Sequence, residues 1–238
     1  MRPAFYALER GGWRDYVTIL HPPYTAWHVA YVVIGGCLAP EVSWPRLGLA
    51  ALAFALAVGI GAHALDELNG RPLGTRIPGP VLVALAAVSV AGACAIGLTG
   101  AVTFSAWLVP FVAVGAFLVL AYCLELFGGR FHTDLWFGLA WGGFPLLTGY
   151  FACAGEIRLE ALVAAAWATA LSLAQRKLST PVRRVRRRMR SVDGRLELVD
   201  GTVEPLTAET LVAGPEAALR LLAAGTVALA VTLLLVRI

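Results

Sequence analysis

Apolar residues fall into seven long runs, and polar residues fall between them. The runs cover 24–40, 47–65, 79–98, 104–127, 135–153, 159–175 and 215–236. A helix needs about 20 mainly apolar residues to cross the hydrocarbon core of a bilayer. The pattern therefore predicts an all-α integral membrane protein with about seven transmembrane helices. Four segments follow from it: an amphipathic interfacial stretch over 1–23, a six-helix membrane core over 24–175, a basic loop over 176–214, and a seventh span over 215–238. Within the first segment, Phe5, Tyr6, Leu8, Trp13, Tyr16, Val17 and Leu20 form the apolar side of the expected interfacial helix. Arg2, Glu9, Arg10, Arg14 and Asp15 leave no room there for the apolar core of a cleavable signal peptide.

Composition agrees. Hydrophobic residues make up 59% of the 238 positions and charged residues only 14%, against roughly 25% charged in a soluble domain. An oversized soluble core is excluded by placement, because the charges sit at the ends of the apolar runs and avoid their middles. Of the nineteen Lys and Arg residues, Arg46, Arg158 and Arg237 fall on one side of the seven-span arrangement and the other sixteen on or near the opposite side. Basic residues are retained in the cytoplasm during insertion. The expected location is the cell membrane, multi-pass, with the N-terminus cytoplasmic and the C-terminus outside.

The net charge of +4 comes mainly from RKLSTPVRRVRRRMR, residues 176–190. A basic run next to a span reads as a contact with anionic lipid, here through Arg183–Arg190, and not as a nucleic-acid site. After it, alternating apolar positions around Asp200-Gly201 predict a small hairpin. Cys37, Cys94, Cys123 and Cys153 lie in or at the ends of spans and form no CxxC pair, so they read as small buried hydrophobes. Nothing in the chain specifies an oligomeric state.

The candidate chemistry lies on the basic side. All four histidines, His21, His28, His63 and His132, are there, with Asp66, Glu67, Glu125 and Asp134. In GAHALDELNGRP, His63, Asp66 and Glu67 stand at i, i+3 and i+4, on one face of a continuing helix. One imidazole and two carboxylates so placed are candidate ligands for a divalent cation, with His132 as a further ligand. Asp66 and His63 are the candidate catalytic pair. Asn69, Arg71, Arg76, Arg130, His21 and His28 are candidates for binding substrate, the arginines through phosphate oxygens. Taken singly, each of these groups also fits the plain role of a polar residue at a helix end.

Three stretches resemble the UbiA-type intramembrane prenyltransferase superfamily. YVTILHPPYTAWHVAYVVIGGCLA is similar to its opening segment and first helix, with His21 where an arginine is usual. GAHALDELNGRP occupies the place of its first Asp-rich motif, with Asp66 kept and Arg71-Pro72 following. GGRFHTDLWFGLAWGGFPLLTGYFACAG resembles its fifth helix and lead-in, through Gly138, Gly142, Gly143 and Gly149-Tyr150. The likeness covers about residues 15–175. It implies a UbiA-like bundle lacking the C-terminal helix pair, and a transferase acting on an isoprenoid diphosphate or related lipid, with Mg²⁺ held by acidic loops. The second Asp-rich motif is missing; SLAQRKLSTPVRR stands in its place. Two alternatives follow. One is a non-catalytic membrane protein that binds lipid or a partner. The other is a lipid hydrolase or oxidase using Zn²⁺ or Fe²⁺ on the His and carboxylate groups.

Overall fold

The computed structural model describes residues 2–238. Each of the seven apolar runs is helical. After a short helix α1 (Trp13–Ile19) come α2 (Pro22–Leu38), α3 (Trp44–Leu68), α4 (Gly79–Thr103), α5 (Leu108–Cys123), α6 (Asp134–Ala154), α7 (Leu159–Arg188) and α8 (Ala208–Arg237). Among the described residues four of these, α3, α4, α6 and α8, are long and apolar enough to cross a membrane. The protein is thus a helical, multi-pass type of membrane protein. Between α7 and α8 a single antiparallel hairpin pairs β1 (Arg195–Glu197) with β2 (Val203–Pro205), turning at Asp200-Gly201 as the alternation predicts.

Local chemistry sets the ends. Pro22 and Pro23 open α2, where a missing N–H costs nothing. Gly155 takes the left-handed conformation that stops α6 (φ 76). Thr207 and Thr210 cap α8 reciprocally. Gly70 and Arg71, both at positive φ, turn the chain out of α3.

Two expectations are corrected. The basic run is not a loop: the helix of the sixth apolar run continues to Arg188, carrying Arg176 to Arg188 on its last turns. Residues 1–23 are not one amphipathic helix either. Of residues 2–21 only Trp13–Ile19 is helical, and Phe5 and Tyr6 turn inward to pack against Tyr24. Asp15 is buried there, accepting from the backbone N–H groups of Gly11 (3.0 Å) and Arg76 (2.8 Å). It ties the N-terminal segment to the loop after α3.

The core is built on α2. Trp27, Tyr31 and Ile34 bury against Leu146 of α6, Ala165 and Ala168 of α7, and Ala223 and Ala230 of α8. Glycines let α2 and α6 touch backbone to backbone. A Cβ on Gly35 would strike the carbonyl of Leu146, and one on Gly149 the carbonyl of Val32. Small residues serve this purpose in membrane helices, where close van der Waals packing replaces the hydrophobic drive.

Two helices contain wide π-type turns, Ala55–Ala62 in α3 and Leu139–Gly143 in α6. Such turns free carbonyls from the regular ladder and recur at functional sites. Both lie beside the polar end of the bundle.

Candidate functional site

The C-terminal ends of α3, α5 and α7 meet the N-terminal ends of α2 and α6 around a cavity of about 1100 Å³. Its wall includes all four histidines, together with Asp66, Asn69, Arg71, Glu125 and Asp134. Helices that alternate in direction bring residues 21, 66, 132 and 176 to one end, although they are far apart in the chain.

The histidines are held by the irregular backbone. His28 Nδ1 donates to the carbonyl of Trp141 in the α6 π-turn (2.7 Å), and His63 Nδ1 to that of Gly59 in the α3 π-turn (3.2 Å). His132 Nδ1 donates to the carbonyl of Tyr122 (2.9 Å), its ring stacked on the Tyr122 ring. A carbonyl only accepts, so in the neutral rings Nε2 keeps the lone pair. His21 stacks on His63 with ring centroids 4.0 Å apart, and its Nδ1 is hydrogen-bonded to the Tyr6 hydroxyl at 2.7 Å.

Just outside α2, the His21 ring is held well below its ordinary pKa of 6.5. Burial is the main cause, followed by His63, Arg187, Arg183 and His28 nearby. The unfolded chain takes up this proton near pH 6.5 and the folded chain only far below it. Folding stability should therefore fall as pH drops below about 6.5. Melting temperatures in detergent from pH 8 to 5 check this. His21→Asn, which tolerates the left-handed backbone of that position (φ 46), should flatten the profile. An unchanged slope in the variant would count against His21 as the titrating group.

Glu67 is elsewhere. It is 1% exposed and faces away from the cavity. Its Oε2 accepts from the Leu73 N–H (2.9 Å), and its Oε1 from the Thr75 N–H (2.7 Å) and hydroxyl (2.9 Å). It clamps the loop that follows α3. Arg71 lines the cavity but is also partly committed, donating to the carbonyls of Ile77 (2.6 Å) and Thr75. Arg76 and Arg130 are exposed and outside the cavity wall. The grouping of Arg76, Arg130 and Glu67 with the site is thus corrected. A shared helix face or adjacent loop position does not fix which way a side chain turns.

These positions bear directly on a metal. Glu67 has its oxygens filled, His63 has Nδ1 on a carbonyl and a ring face on His21, and His132 is turned to Tyr122. Among the described residues no three His, Cys, Asp or Glu groups gather as metal ligands. Asp66 alone faces the cavity from the expected set of His63, Asp66 and Glu67 with a free carboxylate, beside the Cys123 thiol. These donors do not fit a Mg²⁺ clamp or a His-carboxylate Zn²⁺ or Fe²⁺ centre.

Several lining residues are not among the candidate site residues of the sequence: Tyr6, Tyr122, Phe137, Trp141, Gln175, Arg183 and Arg187. Arg176, Thr180, Arg183 and Arg187 are spaced 4, 3 and 4 apart, the period of one helix face. That signal was present, but it speaks only if the helix continues past residue 175. Arg176 donates to Asp134 (3.1 Å) and to the Tyr122 hydroxyl (2.8 Å), and Lys177 to Asp134 (2.8 Å). An apolar crevice of about 170 Å³ lies between α3, α4, α5 and α6. Trp141 lines both the crevice and the polar cavity.

The fold and cavity define a helical membrane protein with a cation-rich, aromatic-walled polar end. Comparisons of the chain with protein-family models, with curated proteins and with solved structures give no match.

Proposed function

We propose that this is a diverged UbiA-like membrane protein with seven spans and a cytoplasmic polar end. In this reading it transfers an isoprenoid or related lipid chain from its diphosphate. One observation carries it: a cation-lined cavity and an apolar crevice lie side by side, with Trp141 as their shared wall. That pairing suits a ligand with a charged head and a hydrocarbon tail. The charge sorting along the sequence supports the orientation.

The chemistry then follows from the lining. The bond between the lipid carbon and the diphosphate oxygen breaks, and the diphosphate leaves with the electron pair. Guanidinium groups on α7 stabilise the charge that develops on it. The faces of Tyr122, Phe137 and Trp141 stabilise positive charge left on the lipid carbon. The acceptor forms its bond to that carbon and gives up a proton to Asp66. Removing such a base lowers rates about 10²–10⁴-fold. Asp66→Asn should therefore lose pyrophosphate release from farnesyl diphosphate in the presence of membrane lipid extract, with the fold intact. Full turnover by the variant would sink the transferase reading.

A second reading has its own support. Glu67 is consumed by the loop, and α7 brings no acidic residue to the cavity. A site that holds the lipid phosphate without turning it over fits this as well. Saturable binding with no pyrophosphate release, in wild type and Asp66→Asn alike, is its expected outcome.

A further inference from the structure

The cations of α7 fall into two sets. Arg176 and Lys177 are paired with Asp134, and Arg186 with Glu216 of α8. Among the described residues Arg183, Arg184, Arg187 and Arg188 enter no ion pair, and all four line the polar cavity. Arg183 and Arg187 are half-buried, one helical turn apart on the face that looks into it. Among the described residues their side chains make two hydrogen bonds, from Arg183 to Thr180 Oγ1 (3.3 Å) and from Arg187 Nε to the Pro3 carbonyl (3.2 Å). Burial holds both below the ordinary arginine pKa, and for Arg183 the neighbouring Arg176 and Arg187 add to it. Two half-buried like charges on one helix face repel each other, and a counter-charge between them relieves this.

The same cavity also holds an unpartnered buried polar atom. Gln175 is 3% exposed and lines the same cavity one turn before Ser179, and among the described residues its Oε1 has no hydrogen-bond partner. A buried amide oxygen left bare costs about 1–3 kcal/mol. A donor O–H or N–H brought to this end of the cavity, about 12 Å along α7 from Arg183, would fill it.

We propose that Arg183 and Arg187 form a metal-independent subsite for a phosphate or diphosphate group. It deepens the proposed function and rests on its phosphate-bearing ligand. The guanidinium pair takes the place that a carboxylate-bound cation would fill. The N-terminal segment closes the subsite: Phe5 and Tyr6 wall it, and Pro3 occupies Arg187 until an anion displaces it.

The test uses the full chain in detergent with inorganic pyrophosphate and farnesyl diphosphate as probes, each titrated in EDTA and in Mg²⁺. Binding of equal strength in both conditions is expected, weakened about tenfold or more by Arg183→Gln with Arg187→Gln, as the loss of charge-assisted hydrogen bonds implies. Arg183→Lys with Arg187→Lys keeps charge and fold while losing the planar fork, and should fall between. Arg130→Gln, outside the cavity, should bind as wild type. Pyrophosphate bound as tightly as the lipid form marks a free-phosphate site, and tighter binding of the lipid form marks a lipid headgroup site; either supports the subsite. Binding that requires Mg²⁺ and is lost in Asp66→Asn overturns the subsite while leaving the transferase standing. Binding of neither probe in any condition overturns both.

Discussion

Glu67→Ala should destabilise the protein by about 3 kcal/mol or more and release the loop over residues 69–78. The carboxylate is 1% exposed and accepts three hydrogen bonds, two of them from backbone N–H groups. Removing it leaves those donors buried and bare, at about 1–3 kcal/mol each and not strictly additive. Melting in detergent should shift down, and limited proteolysis should cut within 69–78. Glu67→Gln keeps an acceptor and should lose less. Asp66→Asn, one position away but facing the cavity, should melt as wild type. A Glu67→Ala protein of unchanged stability would remove the loop-clamp role.

The second large effect lies in the membrane core. Gly149→Ala should cost roughly 1–3 kcal/mol, at the upper end of that range, and Gly149→Val should abolish a monodisperse folded protein. The obstacle is the backbone carbonyl of Val32, which cannot swing aside as a side-chain tip can. Gly35→Ala should behave alike, since its Cβ would meet the Leu146 carbonyl. Gly225→Ala is the control. That glycine sits on α8 with open space around it, so alanine there should be neutral or slightly stabilising. Size-exclusion profiles and melting curves of the three variants compare them directly. Equal behaviour of Gly149→Ala and Gly225→Ala would show that α2 and α6 do not need their close approach.

The seven helical segments were legible because each is a long apolar run, and apolarity acts locally, residue by residue. The gathering of the histidines at one end was legible for the same reason. Once helices alternate in direction, the ends of runs must share a side. The hairpin at Asp200-Gly201 was readable from its turn residues.

Glu67 shows where that reading stops. Spacing put His63, Asp66 and Glu67 on one face, but α3 widens into a π-turn at Ala55–Ala62 just before them, and the loop after Gly70 folds back over Glu67. The N–H groups of Leu73 and Thr75 claimed it. Nothing in HALDEL distinguishes the carboxylate that clamps from the one that faces the cavity. The basic run was misplaced for a related reason. Pro181 and five arginines from 183 to 188 read as a loop at the membrane surface, yet the helix runs through them. It is held there by Val182 and Val185 packing on Val212 and Leu219 of α8, and by the Arg186–Glu216 pair.

By itself, then, the sequence determined an apolar helical chain with its basic and titratable residues at one end, because hydropathy and charge placement need no partner to take effect. Only the tertiary structure decided which of those residues face one another. It turned Glu67 into a clamp, left Asp66 open, hooked His28 and His63 onto π-turn carbonyls, and swung Arg183 and Arg187 from the surface into the cavity. Apart from the His63–Gly59 bond, which is local to the α3 π-turn, these outcomes depend on contacts with residues distant in the chain or across a loop, and a linear pattern does not contain such partners.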